Sequence, residues 1–320
     1  MNAVVIESFD AAPRYTSFDD PVAGDGELLI SVTAAGLHPI VKGLARGTHY
    51  GSAGKLPFIP GVDGVGRLTD GTRVYFGASR FPFGTFAERT VTSSALSIAL
   101  PSGLDDATAA GLANPGMSSW VALKFRAQFN PGESVLILGA TGVAGQLSVQ
   151  IAKRLGARRV IAAGRNPQAL EKLKSLGADA ILSLELDHDA LVAALRKEIA
   201  DFGIDVILDY LWGPPAEAVL AAISQKGLSH AASRIRYVDI GESAGPTITL
   251  GASTLRSSGL ELLGSGFGSA SMKQIFDALK DFFSIASKEP FQTDIKAVPL
   301  RDAESFWNTP EQGVRLVFQP

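Results

Sequence analysis

The apolar positions of this chain follow two regimes. Over the first hundred residues they come in short runs: Glu27–Ala34 (ELLISVTA), Arg73–Phe76 (RVYF) and Thr85–Val91 (TFAERTV). The first is apolar and partly β-branched, and the other two partly alternate in polarity, so all three are expected as strands. Gly and Pro break the pattern at Pro21, Gly24, Gly26, Pro57, Pro60, Gly61, Gly64, Gly66 and Gly71. A β-rich region with long loops is the result expected of such punctuation.

From Leu104 the pattern changes. Leu104–Phe125 is Ala-rich and reads as helical, with an interruption expected at Asn114-Pro115-Gly116. Ser134–Leu138 (SVLIL) is a continuous apolar run, hence a buried strand. Gln146–Leu155 places Leu147, Ile151 and Leu155 on one helical face, and Gly156 closes it. Arg159–Ala163 is a second strand. Asn166-Pro167 opens a helix through Leu176, closed by Gly177. Ala180–Leu182, Ile204–Asp209, Arg236–Ile240 and Leu260–Leu263 read as further strands, with helices over His188–Ala200 and Ala216–Ile223. Strands alternating with helices of this size predict an α/β fold with a doubly wound parallel sheet. The tail differs again, with a helix over Lys273–Ser287 and strands over Thr293–Val298 and Val314–Phe318.

Composition narrows the function classes. A length of 320 residues suits about two domains. The net charge of -3 gives no sign of a nucleic-acid surface. Cysteine is absent, which removes disulfides, thiol nucleophiles and thiolate metal ligands. The four histidines, His38, His49, His188 and His230, form no ligand-spaced pair, so no metal site is expected. His49, His188 and His230 are read as surface residues. Neither a secretion signal nor an apolar run of about 18 residues is visible, so no membrane span and a cytoplasmic location are expected.

The segment that carries chemistry follows SVLIL. Gly139-Ala140-Thr141-Gly142-Val143-Ala144-Gly145 fits the dinucleotide fingerprint G-x-G-x-x-G as Ala140-x-Gly142-x-x-Gly145, with Ala in the first Gly position. Gly142 lets backbone approach a pyrophosphate, and Gly145 lets the helix pack on the strand. The helix-start amides then hold the phosphate charge. A plain structural turn is the bland alternative, and the flanking strand, helix and second strand argue against it. At the end of the second strand stands Ala163-Gly164-Arg165-Asn166, without the carboxylate that binds a ribose 2′-hydroxyl in NAD sites. Arg165 stands where a 2′-phosphate lies, so NADPH is the expected cofactor; an ordinary surface arginine is the alternative.

These residues resemble the medium-chain dehydrogenase/reductase superfamily, in its zinc-independent, quinone oxidoreductase-like branch. Ala35-Gly36-Leu37-His38-Pro39 resembles A-x-x-x-N-P, and Pro60–Gly66 resembles P-G-x-E-x-x-G with Asp63 for Glu. Gly116-Met117-Ser118-Ser119 resembles G-x-T-A, Leu176-Gly177-Ala178-Asp179 matches L-G-A-D, and Gly313–Val317 resembles the closing G-K-x-V strand. The resemblance implies a Rossmann domain over 116–268 inserted into a β-rich GroES-like catalytic domain formed by 1–115 and 269–320. It implies an active site in the cleft between them. It places Ala140, Thr141, Gly142, Val143, Ala144 and Gly145 at the pyrophosphate, and Gly164, Arg165 and Asn166 at the adenosine phosphate. Ser118, Leu211, Gly241 and Gly264 line the nicotinamide half, and Leu184 stands where some relatives carry a tyrosine. Tyr50 aligns with a tyrosine near the nicotinamide and His38 replaces a nearby Asn; both are expected as catalytic hydrogen-bond donors, with Asn114 a further polar candidate. Asp63 is expected as a structural acid, and the zinc ligands of the metal-dependent relatives are missing.

The expected activity is NADPH-dependent hydride transfer to a quinone or an α,β-unsaturated carbonyl (an enone). Two alternatives stay open: a zinc-free alcohol or aldehyde reductase, and a non-catalytic NADPH-binding protein. A homodimer through the apolar strand Gly259–Gly264 is also expected.

Overall fold

A computed structural model describes residues 1–224, 233–310 and 313–320; His230 lies outside the described residues. The chain divides into two compact units, Met1–Pro115 with Ile275–Pro320, and Gly116–Gln274.

The second unit is built on six parallel strands: β1 Ser134–Leu138, β2 Arg159–Gly164, β3 Ala180–Ser183, β4 Val206–Asp209, β5 Arg234–Asp239 and β6 Gly259–Gly264. Their spatial order is β3-β2-β1-β4-β5-β6. This is the doubly wound order of a Rossmann sheet, and it reverses between β1 and β4. Helices form where the apolar period lengthens. Val143–Arg154 ends before Gly156, whose φ of +90° suits a residue without a Cβ. Pro167–Ser175 starts on Asn166, whose side chain accepts from the Ala169 amide at 3.0 Å. Asp187 caps His188–Phe202 in the same way. One core joins Leu136, Ile161, Leu191, Ile207, Val219 and Tyr237.

In the first unit, residues from both ends of the chain share one sheet. Its strand order is Asp294–Pro299, Val314–Gln319, Glu27–Gly36, Asp63–Arg67, Arg73–Gly77, Ser97–Ala99, and Arg89–Ser93 also pairs with Glu27–Gly36. The closing strand reaches the early one at Phe318↔Ala35 and Val317↔Gly36. Beneath it Phe86, Trp307 and Phe318 pack edge to face with Ile30, Val41 and Phe76 around them. The architecture is thus a Rossmann unit inserted between two pieces of a β-rich, GroES-like unit.

Two expectations change. The helix Asp106–Val121 runs through Pro115 without interruption, then widens into a π-type turn over Ala122–Arg126. A proline there forfeits one backbone bond, but burial of Leu112, Ala113, Trp120 and Val121 keeps the segment helical. The expected strand Thr85–Val91 is instead divided. Phe86 accepts from the Val4 amide and Glu88 donates to Asn2 O, while the ladder with Glu27–Gly36 is formed by Arg89–Ser93, with Glu88 O accepting from Val32 at its end.

Candidate functional site

The parallel register collects the expected cofactor residues at one sheet edge. Leu138 lies level with Ala163 and Asp209, Asp209 with Asp239, and Asp239 with Gly264. All are at carboxyl ends of strands, so Ala140–Gly145, Gly164–Asn166, Leu211, Gly241 and Gly264 follow directly along that edge. In open α/β sheets, ligands bind outside this edge where the strand order reverses.

The glycine-rich loop is a cradle with one open side. Gly139 turns the chain at φ +82°, and the Gly139 and Ala140 amides both donate to Ala163 O, at 3.0 and 2.9 Å. Gly139, which precedes the fingerprint positions, therefore supplies the tight turn. A Cβ on Gly145 would fall 2.5 Å from Ala140 Cα, so only glycine lets the helix seat against the turn. On Gly142 a Cβ would have only Gly139 O, at 3.5 Å, nearby. Gly142 is also the helix N-cap, with no side chain bonding the first-turn amides. Those amides and the helix dipole face an open side, which suits a pyrophosphate.

The end of the neighbouring strand, expected at the adenosine phosphate, is closely fitted too. A Cβ on Gly164 would meet Thr141 Cγ2 at 2.6 Å. Arg165 is exposed and, among the described residues, makes no ion pair. Asn166 uses its side-chain carbonyl oxygen as a helix cap, so its amide nitrogen takes no part in that cap. Leu184 donates its backbone amide to Gly164 O at 2.8 Å.

Beyond β4 stands a polar cluster that the sequence reading did not single out. Asp209 is buried; its Oδ1 accepts from the Leu211 and Trp212 amides at 2.7 and 3.1 Å, and its Oδ2 accepts from Tyr237 Oη at 2.6 Å. Burial pushes the Asp209 carboxyl up against the opposing pull of these donors. Burial, with Asp209 beside it, raises Asp239 to about 6. Burial first, then the Asp209 charge, holds the Tyr237 phenol well above its ordinary range. These donors hold the turn in shape, including Trp212 at φ +55° and ψ -158°, a region that costs on the order of 1–3 kcal/mol outside glycine. The same turn packs on the cradle: a Cβ on Gly139 would meet Leu211 Cδ2 at 3.1 Å and Tyr210 Cβ at 3.3 Å. The signal in sequence was the acid closing the apolar run IDVILD.

In the first unit, His38 is 0% exposed and precedes the short helix Pro39–Ala45. Its Nε2 lies 3.2 Å from Asp63 Oδ1, close enough for an ion pair but without hydrogen-bond geometry. Asp63 Oδ2 accepts from Tyr75 Oη at 2.8 Å. Burial, then Asp63, holds the Tyr75 phenol well above its ordinary value. Tyr50 is 73% exposed and stacks on His49 with ring centroids 4.2 Å apart. His49 is half-buried, its Nδ1 accepting from the Gly51 amide, and His188 is exposed. Asn114 is half-buried on the helix Asp106–Val121. Among the described residues, no three His, Asp or Glu side chains are grouped to hold a metal ion. No described helix is long and apolar enough to cross a membrane.

Residues 144–281 match the family described as zinc-binding dehydrogenase. Over its whole length the chain is 25% identical to a probable NADPH-dependent quinone reductase of Emericella nidulans, all of which it covers. It is 31% identical to an NADPH-dependent alkenal/one oxidoreductase of Arabidopsis thaliana, over 50% of this chain and 45% of that protein. The quinone oxidoreductase of Thermus thermophilus, solved alone and with NADPH, superposes with a TM-score of 0.81 at 26% identity, covering all of both chains. These likenesses support a medium-chain dehydrogenase/reductase of the quinone oxidoreductase-like group. In the second unit the expected pyrophosphate and adenosine residues, with Leu211, Gly241 and Gly264, stand along one sheet edge, while Ser118 lies on the helix Asp106–Val121. His38 is brought to Asp63, which also holds Tyr75, and Tyr50 lies in an exposed turn.

Proposed function

We propose that this protein is an NADPH-dependent oxidoreductase that reduces a quinone or an α,β-unsaturated carbonyl without zinc. One observation carries the reading: the glycine cradle at the sheet's switch point is open at Gly142, and the neighbouring strand ends on an exposed Arg165 with no carboxylate in Ala163–Asn166. The relatives named above support the acceptor class. NADPH supplies the hydride when bound. The first-turn amides of the helix Val143–Arg154 hold the pyrophosphate, and Arg165 meets the 2′-phosphate with a charge-assisted fork. Ser118, Leu211, Gly241 and Gly264 line the nicotinamide half.

Hydride addition to an enone or quinone builds negative charge on oxygen, and a donor at that oxygen lowers the barrier. Tyr50 is proposed as that donor because its hydroxyl is on an exposed side chain. His38, enclosed beside Asp63, is the second proposed donor. Solvent delivers the final proton. The protein acts in the cytoplasm as a homodimer through β6, which lies at the edge of its sheet with Leu262 exposed.

The test is NADPH oxidation over a panel of quinones and enones, with product analysis. Quinol, or a saturated product that keeps its carbonyl, is expected. Alcohol as the sole product, or no turnover with any acceptor despite NADPH binding, sinks the reading. Light scattering at micromolar concentration checks the dimer, and a monomeric mass rejects it.

A further inference from the structure

The turn after β4 places a tyrosine hydroxyl among three serines. Tyr210 Oη lies 2.8 Å from Ser148 Oγ, 3.0 Å from Ser119 Oγ and 3.4 Å from Ser118 Oγ. Ser119 and Ser148 are themselves 2.8 Å apart. Ser148 sits on the helix that begins at Gly142, and its hydroxyl donates to Ala144 O at 2.8 Å. With that proton committed, the Ser148 oxygen accepts, and Tyr210 is the donor to it. The lone pairs of Tyr210 then face Ser118 and Ser119. Burial pushes the Tyr210 phenol up, against the pull of the three serines, so it stays protonated at neutral pH.

Position gives this cluster a task. Tyr210 directly follows β4, and the glycine cradle directly follows β1. The crevice between the carboxyl ends of β1 and β4 is the switch point, where a dinucleotide crosses the sheet. One phenol therefore ties the cofactor-binding helix, through Ser148, to Ser118 on a different helix. Ser118 is half-buried, whereas Ser119 and Ser148 are fully enclosed, so Ser118 is the member of the cluster with a side open to a ligand.

We propose that Tyr210 is a positioning residue that fixes the Ser118 hydroxyl for the nicotinamide carboxamide, and so sets the ring's angle for hydride transfer. This rests on the NADPH reading above. Removing the phenol hydroxyl leaves the cradle and Arg165 untouched, so affinity and alignment separate.

The experiment compares the whole protein with Tyr210→Phe. NADPH titration followed by nicotinamide fluorescence gives Kd and the emission of the bound ring. Single-turnover oxidation by 1,4-benzoquinone gives the hydride-transfer rate. Loss of one hydrogen bond in the alignment predicts a rate about three- to tenfold lower. Kd should stay within about threefold, and the bound-state emission should change. If Tyr210→Phe does not fold, Ser148→Ala removes the acceptor of the phenol proton and gives the same readouts. Unchanged emission and unchanged rate in a folded variant, with only a lowered Tm, make the cluster structural and overturn the inference. Absence of NADPH binding by the unaltered protein rejects the cofactor reading itself, and this inference with it.

Discussion

Both units contain a glycine-rich stretch, and the two are used differently. In Gly61–Gly66 every glycine clears space for the chain itself. A Cβ on Gly64 would meet Ala34 O at 2.9 Å, one on Gly66 would meet Ser31 O at 2.5 Å, and Gly61, at φ +108°, faces the Thr85 amide at 2.9 Å. These glycines let Asp63–Arg67 lie close against Glu27–Gly36 and carry Asp63 to Tyr75. In Gly139–Gly145, Gly145 is closed in the same way, but among the described residues the space beside Gly142 is bordered only by Gly139 O at 3.5 Å. Glycine content alone does not mark a binding loop. An open glycine at a helix start on the carboxyl edge of a parallel sheet, at its switch point, is the stronger candidate.

The largest expected effect breaks the closed positions. Gly145→Val and Gly66→Val each drive a side chain into backbone that cannot retreat, so each should destabilise by about 3 kcal/mol or more. Gly142→Ala should cost less than ~1 kcal/mol of fold stability, since it alters only a helix cap. Its Cβ nevertheless occupies the open side, so NADPH binding should largely disappear. Denaturant unfolding beside a cofactor titration reads both. Equal loss of stability at Gly142 and Gly145 removes the distinction between an open and a closed glycine.

Arg165 is exposed and should matter only to the ligand. Arg165→Ala should weaken NADPH about tenfold, from a charge-assisted contact worth roughly 1.5–3 kcal/mol that solvent partly screens. NADH affinity and Tm should barely change. Tighter binding of NADH than of NADPH by the unaltered protein contradicts the 2′-phosphate assignment.

Two acids, one in each unit, extend the comparison. Asp63 has Tyr75 on one oxygen and His38 beside the other, whereas Asp239 Oδ1 is buried without a hydrogen-bond partner. Asp239 is raised from 3.8 to about 6, by burial first and then by Asp209. The folded protein therefore keeps a proton that the unfolded chain releases over this window, and stability falls as pH rises from about 4 to 6. Asp239→Asn should gain on the order of 1–2 kcal/mol at pH 8, discounted for partial solvation, and nothing at pH 3.5. Unfolding curves at both pH values check this, and a pH-independent gain contradicts it.

The smallest expected effect concerns the exposed side of the first unit. Tyr50→Phe should lower kcat a few-fold with a quinone and about tenfold with a simple enone, with NADPH affinity unchanged. Full kcat on every acceptor in both Tyr50→Phe and His38→Ala leaves the protein only an orienting role.

The sequence by itself determined the second unit's strand, loop and helix succession, the glycine cradle and the exposed arginine that ends the neighbouring strand. Those features are local: a period of apolar residues, a cap such as Asn166 and a glycine at a positive φ act within a few residues. The positions expected to meet a cofactor were legible for the same reason, since Ala140–Gly145, Gly164–Asn166, Leu211 and Gly241 stand at or just after strand ends. Tertiary structure decided the rest. Residues 86–88 left the expected strand because the N-terminal strand offered backbone partners, and Pro115 stayed helical because its neighbours are buried. The Asp209–Tyr237–Asp239 group, the Tyr210 hydroxyl among its serines and the His38–Asp63 approach join residues that are distant along the chain. Their partners are set by strand order and register, and no local pattern in the sequence encodes those.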